Sequence, residues 1–212
     1  MSNDDSHFTT VQREAGVVIL AAGLSERMKE LKAFLYFDNN TRFIEKIIST
    51  YTGWGCREIC VVANTEADKR IKESGTVPSS VKIVVNDRME FERFYSVKLG
   101  LGAIHSSSFC FIQNVDNPFI DSQILDLIYG QRSNEKYVSP VFKGKGGHPV
   151  LLNRENMSKI LNWPENSTNF KEVLNTMECR KAEMPDDRVL ININSPEEYQ
   201  RFFNLAGNGI NL

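Results

Sequence analysis

No stretch of this chain approaches the roughly 20 consecutive apolar residues that cross a bilayer. Its first fourteen residues are polar where a secretory leader would be apolar. The expectation is a soluble, cytoplasmic protein without membrane contact, with residues 1–14 as a flexible tail. Basic excess is missing too: 25 Lys and Arg stand against 27 Asp and Glu, a net charge of −2. A general nucleic-acid binder needs many cations against phosphates, so nucleic acid is not expected as a partner. A small phosphorylated molecule needs only a few local ones. The cysteines are few, and Cys56, Cys60, Cys110 and Cys179 match no zinc spacing. Cys60 and Cys110 lie in apolar runs, and the four read as core thiols in a reducing compartment. Neither Gly-x-Gly-x-x-Gly nor Gly-Lys-Ser/Thr occurs, which excludes the dinucleotide and P-loop readings. No Cys–His or Ser–His–Asp arrangement is legible, which gives nucleophilic hydrolases little weight.

What the 212 residues do contain is ordinary globular composition, with 41% hydrophobic and 25% charged residues. The length suits one large domain, expected over residues 15–205, with residues 206–212 as a second tail. Short apolar runs alternate with amphipathic segments, as in a βαβ architecture. Strands are predicted at 17–20, 58–63, 81–85 and 109–112. Helices are predicted at 42–51, 67–73 and 95–105. The last of these contains Gly100 and Gly102, each costing about 1 kcal/mol against Ala, which a close approach of backbones would explain. Further on, 137–142 and 149–152 read as strands flanking a glycine-rich hairpin, Lys143-Gly144-Lys145-Gly146-Gly147. The final helix is announced by Ser195 as N-cap, Pro196 in the first turn and Glu198 three residues after the cap.

The first strand exits into Leu20-Ala21-Ala22-Gly23-Leu24-Ser25-Glu26-Arg27-Met28, with Lys32 following. Small residues let backbone N–H groups approach a phosphate chain. Arg27 and Lys32 would supply cations for a triphosphate and its departing pyrophosphate. The same residues would suit a plain strand-to-loop turn with two surface cations. Asp116 lies just past the fourth strand, where open α/β sheets place ligands. Mg²⁺ on a nucleotide needs one or two carboxylates besides the phosphates, although a turn before Pro118 would also use an Asp. His148 could meet a ligand or bond backbone beside its Gly-Gly turn. His105 is expected at a helix end, and His7 in the tail.

The run Val18-Ile19-Leu20-Ala21-Ala22-Gly23-x-Ser25-x-Arg27-Met28, followed by Lys32, resembles the signature loop of nucleotidyltransferases. It is most similar to the molybdenum cofactor cytidylyltransferase and molybdopterin-guanine dinucleotide synthase group. Ser96-Val97, Asp116-x-Pro118 and Gly147-His148-Pro149-Val150 follow in the order that group shows. The resemblance implies a three-layer α/β/α nucleotide-binding fold with a mostly parallel central sheet. It implies attack of an acceptor phosphate on the α-phosphate of a nucleoside triphosphate, CTP favoured, with pyrophosphate leaving. Leu20, Ala21, Ala22, Gly23, Ser25, Arg27, Lys32 and Ser96 would then hold the nucleotide. Arg27, Lys32 and Asp116 would be catalytic, Asp116 with Asn194 would bind Mg²⁺, and Gly146, Gly147, His148 and Pro149 would face the phosphorylated acceptor, possible examples being of molybdopterin type.

The chain departs from that pattern at Lys29, where the group has Gly, and at Leu31, where it has Pro. Asn192-Ile193-Asn194-Ser195-Pro196 replaces Asp-Ile-Asp-Thr-Pro, and Ser167-Thr168-Asn169-Phe170 replaces a glycine-bearing segment. Two alternatives therefore stand beside the transferase: a metal-dependent glycosyltransferase consuming a nucleotide-sugar, and a nucleotide-binding protein that has lost catalysis.

Overall fold

Strand β1, Ala15–Ala21, is buried at every residue, as its unbroken apolar run requires of a strand covered on both faces. The computed structural model, which describes residues 12–166 and 168–207, sets an eight-stranded sheet around it. β2 (Glu58–Ala63) and β3 (Lys82–Val85) follow in parallel on one side. β4 (Phe109–Asn114) lies parallel on the other. Beyond β4 the sheet turns antiparallel: β7 (Val150–Asn153) joins β4 to β5 (Tyr137–Phe142). β5 also carries the two-residue β6 (Lys145–Gly146) and, in parallel, the edge strand β8 (Cys179–Glu183). Strand order reverses between β1 and β4, which opens a crevice at their carboxyl ends.

Helices cover both faces. α1 (Phe43–Trp54) turns Phe43, Ile44, Ile47, Ile48, Tyr51 and Trp54 inward, each worth about 1.5–3 kcal/mol of burial. Its layer includes α2 (Thr65–Ser74), α4 (Ser122–Gly130) and α7 (Pro196–Gly207), packed with Val17, Ile19 and Ala21 of β1. α3 (Glu92–Leu101), α5 (Arg154–Leu161) and α6 (Phe170–Asn175) pack on the opposite face with Val18 and Leu20. The three-layer α/β/α arrangement is thus realised. Among the described residues no helix is long and apolar enough to cross a membrane.

Gly100 is where the backbones meet. A Cβ there would stand 2.2 Å from Val18 Cγ1, so α3 lies closer to β1 than any side chain allows. The helix predicted over 95–105 instead runs Glu92–Leu101. His105 therefore does not end it. The His105 and Ser106 N–H groups donate to the Glu58 carboxylate at 2.9 Å each, a stronger charged acceptor than a helix carbonyl.

Other differences are smaller. β7 begins one residue later than predicted, and the glycine-rich turn folds back as β6, with Lys143 at φ 48° and Gly144 at φ 79°. Cys60 and Cys110 are buried, but Cys179 is exposed on the β8 edge and is no core thiol. Residues 1–11 and 208–212 of the expected tails lie outside the described residues. Arg13 and Glu14 are held to the sheet layer. The Arg13 guanidinium sits 4.4 Å from the Trp54 ring centroid and 3.0 Å from Asp126, and the Glu14 carbonyl accepts from Ser108 and Phe109.

Candidate active site

The loop after β1 has an unusual backbone for its residues. Ser25 and Lys29 both lie in the left-handed region, at φ 54° and 55°, where a side chain costs about 1–2 kcal/mol. Leu31 sits at φ −63°, the φ to which a proline ring is locked. The departures at Lys29 and Leu31 therefore keep the backbone that Gly and Pro would adopt. Three contacts hold it: Ser25 Oγ accepts from Lys32 N–H at 3.1 Å, the Ser25 carbonyl accepts from Met28 at 2.8 Å, and Arg70 on α2 pairs with Glu30. Behind the loop, Asn64 caps α2 through Ala67 N–H and donates to the Ala22 carbonyl at 3.1 Å.

Leu20, Ala21, Ala22, Gly23, Ser25, Arg27, Lys32, Ser96, Asp116 and Asn194 all line one cavity of about 590 Å³. Its floor is the β1–β4 crevice. Lys32 Nζ reaches across it to Asp116 Oδ2 at 3.0 Å and Asn194 Oδ1 at 2.6 Å. Lys32 is thus engaged by a carboxylate rather than free for phosphate. The second oxygen, Asp116 Oδ1, is buried without a hydrogen-bond partner. A carboxylate oxygen withdrawn from water with no donor is costly, and a cation lodged there would satisfy it. Among the described residues Asp116 is the sole carboxylate lining the cavity, and no cluster of three potential metal-binding side chains occurs. The donor set fits a Mg²⁺ that keeps most of its ligands on phosphates and water; it does not make a cage.

Asp116 is held by polar groups distant in sequence. Its carbonyl accepts from Ile193 N–H at 2.8 Å. Tyr51 O–H donates to Gln113 Oε1 at 3.1 Å, and Gln113 Nε2 donates to the Asn114 and Asn117 carbonyls at 2.8 and 2.9 Å. Asn117 Nδ2 in turn donates to the Val189 carbonyl at 3.2 Å. Asn194 is fixed by the start of α7, where Glu198 Oε2 accepts from Asn194 and Ser195 N–H and Ser195 Oγ accepts from Glu198 N–H. Ser96 is buried, and its hydroxyl accepts from Asn86 Nδ2 at 2.9 Å.

Gly146, Gly147 and His148 line a second cavity of about 490 Å³, whose lining does not include Pro149. Gly147 meets a packing demand there, because a Cβ would fall 2.4 Å from the Val189 carbonyl oxygen. The His148 N–H donates to that same oxygen at 2.9 Å. Burial, reinforced by nearby Arg93, pushes the His148 imidazole down to about 3, so it is neutral at physiological pH. Thr168, Asn169, Phe170 and Lys171 form another part of the wall. Arg93 lines both cavities. The reading of the sequence passed over it, although it lies three residues before Ser96 on one helix, the spacing that puts two side chains on one face.

A family model described as MobA-like NTP transferase domain matches residues 17–182. No curated protein matches the chain in sequence. Among solved structures, an Rv0371c homologue from Mycobacterium sp. strain JC1 is similar with TM-score 0.80 and 16% identity, covering 93% of this chain and 99% of that one. Rv0371c from Mycobacterium tuberculosis H37Rv in complex with manganese gives TM-score 0.71 at 16% identity, covering 90% and 98%. A 4-diphosphocytidyl-2C-methyl-D-erythritol synthase from Anaerococcus prevotii DSM 20548 gives 0.70 at 16% identity, covering 92% and 96%. At such identities the likeness is one of fold.

Proposed function

Since this chain belongs to the family of MobA-like NTP transferase domains, and is a nucleotidyltransferase, we propose that it moves CMP from CTP onto a phosphorylated small-molecule acceptor. The observation that carries this reading is a pair of cavities sharing Arg93. One has the β1 loop, Lys32 and Asp116; the other is lined by Arg93 and Lys171 with no carboxylate. A pocket with cations and no anions favours an anionic guest. Its rings, Tyr137, Phe94 and Phe170, suit a guest with a planar or apolar body, a class that includes molybdopterin-type phosphates.

In the proposed reaction an oxygen of the acceptor phosphate forms a bond to the α-phosphorus of CTP. The bond from that phosphorus to the bridging oxygen breaks, and its electron pair leaves with pyrophosphate. Main-chain N–H groups at Ala21, Ala22 and Gly23 orient the triphosphate, and Arg27 and Lys32 face the departing charge. Such catalysis is positioning and charge stabilisation. Asp116, through its unpartnered Oδ1, and Asn194 would hold Mg²⁺, which when bound neutralises phosphate oxygens. The Rv0371c manganese complex shows a divalent ion in a protein of this fold. The cytosine preference rests on Ala22, where guanylyl-transferring relatives carry Gly; Ala22 is buried with its carbonyl tied to Asn64. The glycosyltransferase alternative needs a second acidic ligand beside Asp116, and the cavity offers the amide Asn114 in that place.

Pyrophosphate release, measured with CTP, GTP, ATP and UTP over a panel of phosphate monoesters, tests the proposal. CTP should support transfer best. Preference for GTP would overturn the base assignment, and no release with any pair would overturn the reaction.

A further inference from the structure

Arg93 stands on the first turn of α3 at the border of the two cavities. Other arginines in this chain are satisfied by carboxylates: Arg13 by Asp126, Arg70 by Glu30, and Arg188 by Asp121 and Asp186. Among the described residues Arg93 makes no ion pair or hydrogen bond; its guanidinium carbon lies 5.8 Å from the centroid of the Phe170 ring. Solvent still reaches it. The cleft walls nonetheless crowd it enough to lower its pKa, while the charge of Asp116 pulls the other way. On the second-cavity side its charge helps keep His148 neutral. One guanidinium thus lies within electrostatic reach of both pockets, and among the described residues none of its donors is committed.

We propose that Arg93 binds the attacking phosphate of the acceptor and positions it against the α-phosphate, a role that rests on the transfer reaction proposed above. A planar guanidinium offers two parallel N–H donors to two phosphate oxygens, which fixes orientation as well as charge. Both substrates are anionic, so bringing their phosphates together requires a cation at the border. Lys32 does not serve, because it lines only the nucleotide cavity, where the proposed reaction turns it to the departing pyrophosphate. Lys171 lines only the second cavity, and His148 is uncharged. The Phe170 face steadies the guanidinium without neutralising it.

Phenyl phosphate, a monoester with a planar ring, is the probe, and phenol is its uncharged counterpart. Calorimetric titrations compare wild type, Arg93→Ala and Arg93→Lys, each with and without Mg²⁺ and α,β-methylene-CTP. Wild type should bind phenyl phosphate. Arg93→Ala should weaken that binding by at least about tenfold, as expected for losing a charged hydrogen-bond partner, and Arg93→Lys should fall between. Affinity for phenol should change by no more than about threefold, on the order of the scatter of surface substitutions, and affinity for the CTP analogue should fall by clearly less than affinity for phenyl phosphate. Three results would overturn the role: no phenyl phosphate binding to wild type, unchanged binding in Arg93→Ala, or equal loss for phenyl phosphate and CTP analogue. Failure of the parent reaction would show separately, as absent pyrophosphate release by wild type, and the phenyl phosphate comparison would still judge Arg93.

Discussion

Gly147 lies so near Val189 that a Cβ on the glycine would stand 2.4 Å from the Val189 carbonyl oxygen and 2.9 Å from its Cγ2. That carbonyl also accepts from His148 N–H at 2.9 Å and Asn117 Nδ2 at 3.2 Å. It therefore couples the wall of the second cavity to the turn that holds Asp116. Gly147→Ala should push Val189 away and cost about 1–3 kcal/mol, the usual price of overpacking, read as a lower urea midpoint. Gly146→Ala, whose Cβ would meet only Ser139 Oγ at 3.4 Å, should be close to neutral.

Lys29 holds a left-handed backbone at φ 55° without being glycine. Lys29→Gly should relieve that strain and raise stability by about 0.5–1 kcal/mol after allowing for the entropy glycine adds to the unfolded chain. The change should appear in the thermal midpoint while pyrophosphate release is retained. A drop in stability would mean that the lysine side chain contributes contacts that outweigh the strain.

The carboxylate count of the nucleotide cavity sets a metal test. Asp116→Asn should abolish the Mg²⁺ dependence of CTP binding. Asn194→Asp supplies a second acid and should lower the Mg²⁺ concentration giving half-maximal CTP binding by on the order of tenfold. A Mg²⁺ titration at fixed CTP reads both. Indifference to both substitutions would return Asp116 to the status of a turn residue.

His148 sets a pH dependence. In the unfolded chain it titrates near the ordinary imidazole value of 6.5, whereas in the fold it stays neutral down to about 3. Between those values the unfolded chain binds the extra proton, so stability is fully present above 6.5 and declines as the pH falls. The slope is at most about 1.4 kcal/mol per pH unit. Asp121 and Glu58, where burial raises the carboxyl but the donors that bond it outweigh burial and hold it below its usual range, add losses as the pH falls through their unfolded values near about 4. Urea unfolding at pH 7, 6 and 5 should therefore show a steeper decline for wild type than for His148→Gln. Parallel curves would place the imidazole in solvent.

Local chemistry made half of this site legible. The β1 loop announces itself through small residues after an apolar run, and Asn194 is placed by the Ser195–Glu198 capping box readable from spacing. Gly100 was legible as a close approach for the same reason: glycine in a helix costs stability unless space demands it. What lay hidden depends on distance along the chain. The Tyr51–Gln113–Asn117–Val189 relay joins three segments that no local pattern connects. Arg93 looks like any helical surface arginine until two cavities are seen to meet at it. Helices α4 and α5 carried caps, Asp121 and Asn153, but in short amphipathic stretches whose apolar faces become evident only against the sheet.

On the proposed reading, the Lys32–Asp116–Asn194 contact makes ligand entry an exchange rather than an addition. The site carries its own counter-charge: a tethered ammonium sits against Asp116 Oδ2 at 3.0 Å, while Oδ1 has no hydrogen-bond partner among the described residues. Asp116 would hold a metal brought in with the nucleotide, and Lys32, released from that carboxylate, would turn to the phosphates. Its charge is never left naked and never has to be imported, so one side chain acts as gatekeeper before binding and as counter-ion after it.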